Sequence, residues 1–353
     1  MCFRDIMNRL SAIILGIFLF AGVCCANPDT YEPDGNEGPD PVVEAGLPKI
    51  YLTGSNADIT SSHRAGLLLA GGGTDVDEAM KWLLINADGG DVVVLRASGQ
   101  DGYNSYLFSS LGVSVNSVRT LVIDSRDKAD KDSVERIIRN AEALFIAGGD
   151  QSSYLRLWGG TRVAGALRFL LQEKRVTVGG TSAGMAVLSE FVYTGEAGSA
   201  LSGQSLLNPF DSKVTIQKGF LHIPLLRGIV TDTHFSERDR FGRLVVFMAR
   251  IAKEHKVLPK AIACDEYSAV CVDGSGMASI YGRSAFFMEA ADTSALVCIT
   301  ASPLSWSASG GSLRFVRVRG NTSGTAKFNL ADWSSDPVVW TRLNVVNGVV
   351  HEL

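Results

Sequence analysis

The chain has 353 residues, of which 46% are hydrophobic and 20% are charged, and its net charge is −4. This length accommodates one large α/β domain or two smaller ones, since domains average about 100–200 residues. The mild acidity gives no reason to expect binding to nucleic acid, which usually requires a basic domain.

The first 26 residues have the pattern of an export signal. Arg4 and Arg9 give a weakly positive start, and a continuous apolar run follows from Ala12 to Val23. The run is shorter than the roughly 20 residues that a membrane span needs, and it fits the apolar region of a signal peptide. We therefore expect the mature protein to lie outside the cytoplasm, in the periplasm or at the cell surface.

Two alternatives are open for the processing of this segment. Cleavage after Ala26 predicts simple secretion, whereas a loose bacterial lipobox, A-G-V-C at 21–24, predicts a lipid anchor on Cys24 or Cys25. Residues 27–47 are rich in proline, glycine and acidic side chains, and they are expected to form a flexible tether.

From residue 48, short apolar runs alternate with helical patterns and predict a mostly parallel β-sheet covered by helices on both faces. The predicted strands span 66–70, 91–96, 120–124, 143–147 and 176–178. Thr74 and Asp75 are expected to cap a helix that runs to about Ala87, and a second helix is predicted around 133–140. Ligands of such sheets bind beyond the carboxyl ends of the strands.

Three consecutive glycines, Gly71 to Gly73, follow the first of these strands. They match neither common nucleotide-binding loop, because Val76 occupies the third glycine position of G-x-G-x-x-G and no G-K-[ST] follows. We predict a tight strand-to-helix turn here.

The pattern changes after about residue 285, where β segments separated by Gly, Ser, Asn and Asp turns replace helical periodicity. We predict an α/β domain over 48–290 and a β-rich C-terminal extension over 291–353. Cys264, Cys271 and Cys298 lie in apolar runs and are expected to be buried free thiols, with a Cys264–Cys271 bridge as the alternative. The histidines lack metal-site spacing, and we expect no metal and no cofactor.

Residues 180–184 read G-T-S-A-G after a short β-branched run, which is the strand–turn–helix setting of a nucleophile elbow. A side chain at Gly180 or Gly184 is expected to crowd the serine. The turn would present Ser182 Oγ beside the Ala183 N–H and the helix dipole, which can stabilise an oxyanion. A glycine-rich connection without a chemical role has the same local pattern. Whether this turn is a nucleophile elbow therefore depends on finding a base and an orienting group for the serine elsewhere in the chain.

A serine nucleophile needs a base and a group that orients the base. His234 is the strongest candidate for the base, because it follows the apolar run 228–230 and lies at the carboxyl end of a strand, as Ser182 does. His222 is expected to be a packed residue. The orienting carboxylate is open among Asp232, Glu237, Glu196, Asp265 and Glu266. The last two are either strand residues that face opposite ways or a polar hairpin turn.

Six motifs occur along the chain: L-L-A-G-G-G-T-D-V-D-E-A at 68–79, L-R-A-S-G with D-G-Y-N at 95–104, A-G-G-D-Q at 147–151, G-G-T-S-A-G at 179–184, D-T-H-F-S-E-R-D-R-F-G-R-L at 232–244 and D-E at 265–266. Together they resemble the cyanophycinases, serine exopeptidases related to the aspartyl dipeptidases, over roughly residues 64–290. The resemblance implies a three-layer α/β sandwich similar to the class I glutamine amidotransferases and to flavodoxin.

The resemblance also implies roles for individual residues. Ser182 would be the nucleophile, His234 the base and Glu266 the orienting acid, in a chain order that differs from the Ser…Asp…His of α/β-hydrolases. The oxyanion donors would be the N–H groups of Ala183 and Gly149. The implied substrate-binding residues are Asp150, Gln151, Asp232, Arg238, Arg240 and Arg243.

The implied substrate is cyanophycin, a poly-aspartate backbone that carries arginine on its side-chain carboxyls and is cleaved to β-Asp-Arg. The arginine cluster would bind the substrate carboxylate, and the guanidinium could be received by Asp150, Asp232 or Asp239. Thr233 stands where the family usually has glutamine, which removes one substrate contact.

If 235–248 is helical, Arg240 and Arg243 share a face while Arg238 points elsewhere. At least one of the three is expected to be structural, paired with Glu237 or Asp239. Two other function classes stay open, namely another serine hydrolase, either an isoaspartyl dipeptidase or an esterase, and a non-catalytic surface binding protein. We expect a peptide substrate as the partner, and a homodimer is left open.

Overall fold

The computed structural model describes residues 46–335 and 339–353. The predicted export signal, the lipobox and residues 27–45 of the predicted tether lie outside the described residues. Within the described ranges, no helix combines the length and the apolar character needed to cross a membrane.

The α-helices of the described residues are mostly short. In chain order they are α1 (Asp77–Ala87), α2 (Gly102–Ser105), α3 (Arg126–Ala129), α4 (Asp132–Asn140), α5 (Gln151–Trp158), α6 (Arg162–Phe169), α7 (Ala183–Ala186), α8 (Ser202–Leu207) and α9 (Phe241–His255). Wider π-type turns at Tyr106–Ser110 and Leu170–Lys174 follow α2 and α6, and a 3₁₀ turn covers Pro224–Leu226.

The strands form two sheets. In chain order they are β1 (Lys49–Gly54), β2 (Gly66–Ala70), β3 (Asp91–Arg96), β4 (Ser117–Val122), β5 (Ala143–Ile146), β6 (Thr177–Thr181), β7 (Phe191–Tyr193), β8 (Ile216–Lys218), β9 (Ile229–Asp232), β10 (Lys260–Cys264), β11 (Ser268–Asp273), β12 (Met277–Gly282), β13 (Ser284–Ala290), β14 (Leu296–Val297), β15 (Ser305–Trp306), β16 (Leu313–Arg319), β17 (Ala326–Asn329), β18 (Thr341–Val346) and β19 (Val349–Glu352).

The first sheet has the strand order β1-β4-β3-β5-β6-β2-β11-β12-β17. Its central strands β4, β3, β5, β6 and β2 are parallel, and the strands on either side join antiparallel. Along β2, Leu67 and Leu69 belong to one apolar cluster while Leu68 and Ala70 belong to another, so both faces of the sheet are buried. This alternation explains why the parallel strands read as continuous apolar runs.

The second sheet runs β14-β15-β18-β16-β13-β10-β9-β7-β8, with β19 added beside β18. The strands β7, β9 and β10 are parallel, and the other pairings are antiparallel. A separate apolar cluster, formed largely by buried residues of α9, packs against this sheet. The expectation of one mostly parallel sheet is therefore met only by the central five strands of the first sheet.

Several sequence expectations can be compared with these elements. The predicted strands 66–70 and 91–96 are β2 and β3, and the helix predicted around 133–140 is α4. The predicted cap of α1 is wrong: Val76 precedes the helix without a side-chain cap, and the buried Asp75 instead accepts a hydrogen bond from Tyr103 Oη at 2.6 Å. The likeness to class I glutamine amidotransferases stays a prediction.

The region after residue 290 is built into both sheets. Strand β16 pairs with β13 along seven residue pairs, from Ser284 with Arg319 to Ala290 with Leu313, and β17 extends the first sheet beside β12. The proposed domain boundary near 290 stays a prediction. Cys264, Cys271 and Cys298 are buried and free, so the alternative disulfide is absent.

Candidate active site

The carboxyl ends of four strands, β5, β6, β7 and β9, line one cleft of about 430 Å³. The turns after β5, β6 and β2 are neighbours, because these strands are adjacent and parallel in the first sheet. The parallel pair β9 and β10 brings the carboxyl ends of two strands of the second sheet to the same place. Loops at the carboxyl ends of parallel strands are where α/β sheets bind ligands.

Ser182 follows β6 directly and lies in a conformation that side chains rarely adopt, with φ 50° and ψ −115°. Its N–H donates to the Ala70 carbonyl at 3.1 Å, which ties the turn to the end of β2. A strained backbone of this kind costs of order 1–3 kcal/mol and persists where the surroundings enforce it. The predicted strand–turn–helix elbow is present.

The elbow glycines are required for a reason that differs from the predicted one. A Cβ at Gly180 would lie 2.5 Å from the Gly184 carbonyl carbon, and a Cβ at Gly184 would lie 2.0 Å from the Ile146 carbonyl oxygen. The contact atoms belong to the backbone of the next turn and of β5, and the serine is not among them. The helix α7 has only four residues, so its dipole is small. The Ala183 N–H is therefore a better candidate than the predicted helix dipole for stabilising an oxyanion at this turn.

Ser182, His234 and Glu266 form a continuous chain of contacts. Ser182 Oγ lies 2.9 Å from His234 Nε2, and His234 Nδ1 lies 2.6 Å from Glu266 Oε1. His234 is buried, whereas the Glu266 side chain is 34% exposed. With the ring proton on Nδ1, the histidine donates to the glutamate and accepts from the serine hydroxyl, which is the arrangement of a serine triad.

The other acidic residues that were considered for orienting the base have different partners. The turn between β10 and β11 connects the two sheets, so it is not a hairpin. In this turn Glu266 faces the histidine, while buried Asp265 accepts the Ser236 N–H at 3.0 Å. Burial raises the pKa of Asp265, and the hydrogen bonds from Ser236 partly offset that rise. Glu237 accepts the Glu266 N–H at 3.0 Å and also pairs with Arg283.

Residues 102–280 match the model of peptidase family S51, a span of just over half the chain. The chain belongs to peptidase family S51. This agrees with the predicted resemblance to the cyanophycinases, which is confirmed by curated relatives.

Cyanophycinase from Synechococcus elongatus is 28% identical over 171 residues, which are 48% of this chain and 48% of that protein. Cyanophycinase from Nostoc sp. is 27% identical over 177 residues, which are 50% of this chain and 54% of that protein. The chain thus spans about half the length of the curated relatives that it matches. Among solved structures, a peptidase from an acI-B1 actinobacterium is 17% identical with a TM-score of 0.46, covering 63% of this chain and 89% of that one.

The glycine turn after β2 supports the S51 site in a way that the sequence did not reveal. The Gly71 carbonyl accepts the His234 N–H at 2.8 Å, and the Gly72 carbonyl accepts the Tyr267 N–H at 3.1 Å. A Cβ at Gly72 would lie 2.4 Å from both His234 Nε2 and Cε1. The turn was predicted only as a tight connection, but it is also the wall against which the imidazole lies.

The predicted substrate-binding residues all line the cleft, but several are already engaged. Buried Arg243 forms a bidentate salt bridge with Asp232, with Nε–Oδ2 at 2.8 Å and Nη2–Oδ1 at 2.5 Å. Burial works to lower the pKa of Arg243, but the charge and hydrogen bonds of Asp232 outweigh it and raise that pKa. Arg240 Nη1 donates to the Thr233 carbonyl at 2.7 Å and lies 3.6 Å from Asp232.

These contacts correct the predicted arginine pairings. Arg243 is structural, as predicted for at least one of the three, and its partner is Asp232, which was not among the predicted partners. The helix begins at Phe241, so Arg240 precedes it and does not share a helical face with Arg243. His222 is exposed, with φ 52°, so its expected packing is wrong.

The other side of the cleft is formed by the start of α5. Asp150 caps this helix, accepting the Ser152 N–H at 2.9 Å, and both of its oxygens also accept serine hydroxyls. Gln151 Nε2 donates to the Tyr193 carbonyl at 3.2 Å. Gly149 lines the cleft next to this helix. Among the described residues no group of His, Cys, Asp and Glu side chains is placed to hold a metal ion.

Proposed function

We propose that the protein is a serine exopeptidase that hydrolyses aspartyl peptide bonds, either the backbone bonds of cyanophycin, which releases β-Asp-Arg, or the β-aspartyl bonds of related peptides. The observation that carries the proposal is the contact chain from Ser182 through His234 to Glu266, built on a strained elbow in an S51 chain. Similarity to the cyanophycinases supports the substrate class. The three-layer likeness to class I glutamine amidotransferases is part of the same proposal.

The proposed reaction has two steps. His234 takes the proton of Ser182 as Oγ attacks the carbonyl carbon, and the oxyanion accepts hydrogen bonds from the N–H groups of Ala183 and Gly149. The histidine then protonates the leaving amine, which for cyanophycin is the α-amine of the released β-Asp-Arg, and the preceding aspartyl residue stays on the serine as an ester. A water molecule, deprotonated by the same histidine, hydrolyses that ester. Glu266 holds the ring orientation and stabilises the imidazolium.

The charges of the cleft suit a substrate that carries both signs. Arg238 and Arg240 line it and are our candidates for the substrate carboxylate. The three predicted acceptors of a guanidinium are less suitable, because Asp150 caps α5, Asp232 pairs with Arg243, and Asp239 lies outside the cleft lining.

Glu196 is a better candidate for that role. It lines the cleft and is exposed, and its carboxylate has no ion pair or hydrogen bond to any residue in the described ranges. The sequence suggested Glu196 only as an orienting acid for the histidine. We propose that it receives the positively charged group of the substrate.

Location belongs to the same proposal and rests on the sequence alone. The apolar run from Ala12 to Val23 supports export, and Cys24 or Cys25 would carry a lipid anchor if the lipobox is used. A homodimer is left open.

The test is incubation of the purified mature protein and its Ser182→Ala variant with insoluble cyanophycin, β-Asp-Arg and β-Asp-Leu, with products read by mass spectrometry. Serine-dependent release of β-Asp-Arg from the polymer is the expected result. Cleavage of the dipeptides alone would keep the peptidase and reject the polymer. Turnover of p-nitrophenyl esters with inert peptides would favour an esterase, and tight peptide binding without fluorophosphonate labelling of Ser182 would favour a binding protein.

A further inference from the structure

Tyr154 lies beneath the loop that supplies the second oxyanion donor. It is the fourth residue of α5 and is 1% exposed. Its hydroxyl lies 2.8 Å from the Gly148 carbonyl oxygen and 3.0 Å from the Ala147 carbonyl oxygen. Burial raises the pKa of Tyr154, so its hydroxyl stays protonated and donates to these carbonyls.

The phenol ring of Tyr154 is fixed by a stacked tryptophan. It stacks on Trp158 with ring centroids 4.2 Å apart and an interplanar angle of 12°. Trp158 is buried, and its Nε1–H donates to the Ile123 carbonyl at 3.1 Å, just beyond the end of β4. Because this stack is anchored to the sheet, the hydroxyl of Tyr154 has a fixed position.

The planarity of the peptide bond transmits this position to the cleft. The carbonyl of Gly148 and the N–H of Gly149 belong to one trans peptide, so they point in opposite directions. The hydroxyl of Tyr154 holds the carbonyl toward the buried side, and the N–H must therefore face the side of the cleft, which Gly149 lines. We propose that Tyr154 is a positioning residue that aims the Gly149 N–H at the developing oxyanion.

The backbone of Gly149 is consistent with this role. Its φ is +146°, and a Cβ there would lie 3.1 Å from the Tyr154 hydroxyl oxygen. Glycine thus lets the loop lie close against the phenol. The A-G-G-D-Q motif and the tyrosine three residues after its glutamine act as one unit.

The inference rests on the proposed function, and its test is the Tyr154→Phe variant assayed on (β-Asp-Arg)₂, a fragment of two cyanophycin repeat units. Removal of one oxyanion donor lowers kcat by about 10²–10³-fold in serine peptidases. Since the donor is misaimed and not removed, we expect kcat to fall by about 10- to 100-fold with little change in KM.

A second readout separates aiming from general stability. An aspartyl aldehyde, with the aldehyde in place of the scissile backbone carbonyl, would bind as a hemiacetal: the Ser182 Oγ–C bond forms, the carbonyl π bond breaks, and the serine proton passes to His234. Its oxyanion occupies the same hole, so the inhibition constant should rise in Tyr154→Phe by about the same factor as kcat falls. A structural role alone would change the melting temperature without this parallel.

Tyr103→Phe is the matched control, because Tyr103 is equally buried and also donates one hydrogen bond, to Asp75. We expect kcat to be unchanged in this control. If Tyr154→Phe does not fold, Trp158→Phe, which loosens the stack, should lower kcat in the same direction. Wild-type kcat in Tyr154→Phe, or a loss equal to that of Tyr103→Phe, would overturn the inference and leave the proposed function intact. Absence of Ser182-dependent turnover in the wild type would reject both.

Discussion

Replacement of Gly72 by alanine should disable the site while leaving the fold in place. The new Cβ would lie 2.4 Å from the imidazole of His234, about 1 Å closer than ordinary van der Waals contact. The imidazole ring cannot move away without breaking a hydrogen bond, because it contacts Ser182 at 2.9 Å on one side and Glu266 at 2.6 Å on the other. A displacement of 1 Å in a catalytic group can cost about 10²-fold in rate, and we expect a loss of that size in kcat.

The backbone contribution can be separated from this collision. Gly72 has φ +96°, where a side chain costs roughly 1–2 kcal/mol of stability. Gly89 has φ +78° and open space around its Cβ position, so Gly89→Ala carries a similar backbone cost without touching the site. Both variants should lose similar stability in urea unfolding, and only Gly72→Ala should lose kcat on (β-Asp-Arg)₂. Full activity of Gly72→Ala, or equal losses in both variants, would refute this reasoning.

The other predictions concern three acidic side chains. Glu266→Gln should lower kcat on the order of 10³-fold, because an amide no longer enforces the ring proton on Nδ1 of His234, and steady-state kinetics will measure this. Glu196→Gln should lower kcat/KM for (β-Asp-Arg)₂ by about tenfold, as expected for one exposed charge-assisted contact, and leave the same substrate with citrulline in place of arginine unaffected. Burial raises the pKa of Asp75 to about 6, against the hydrogen bond from Tyr103, which lowers it. The native state therefore binds a proton that the unfolded chain, with a pKa near 3.8, has released, so this carboxyl lowers stability as pH rises from about 4 to about 6. The difference between the two pKa values corresponds to roughly 3 kcal/mol of unfolding free energy. In urea unfolding across this pH range, Asp75→Asn should lack that loss of stability.

Each of these predictions has a control. Glu173 is exposed and carries the same charge, so Glu173→Gln should leave the kinetics of both substrates unchanged. If Glu196→Gln lowered kcat/KM by the same factor on the charged and the neutral substrate, or lowered neither, the proposed role of Glu196 would be rejected. An unchanged slope of stability against pH in Asp75→Asn would show that Asp75 titrates in its ordinary range.

The parts of the site that depend on local chain geometry could be predicted from sequence. The elbow at Ser182 is encoded by glycines within two residues of it, and His234 could be located because an apolar strand ends just before it. The bounds of β2 and β3 could also be predicted, because both faces of these strands are buried and each strand is therefore a continuous apolar run in the sequence.

The parts that depend on tertiary contacts could not be predicted. Nothing near Gly72 in the sequence shows that β2 ends beside the histidine that follows β9, more than 150 residues later. The pairing of Asp232 with Arg243 depends on where α9 begins, and helix starts are the least certain feature of a sequence pattern. The second sheet was missed because its strands come from both sides of the predicted boundary at 290.

The central claim is that Ser182 forms a covalent aspartyl ester during turnover. The most direct measurement is acid quenching of the wild-type enzyme during turnover of (β-Asp-Arg)₂, a fragment of two cyanophycin repeat units, followed by proteolysis and mass spectrometry of the peptide that contains residue 182. The account predicts an aspartyl adduct on Ser182 that is absent from Ser182→Ala and accumulates further when the water step is slowed. Turnover with no adduct at Ser182, or with equal turnover by Ser182→Ala, would contradict it.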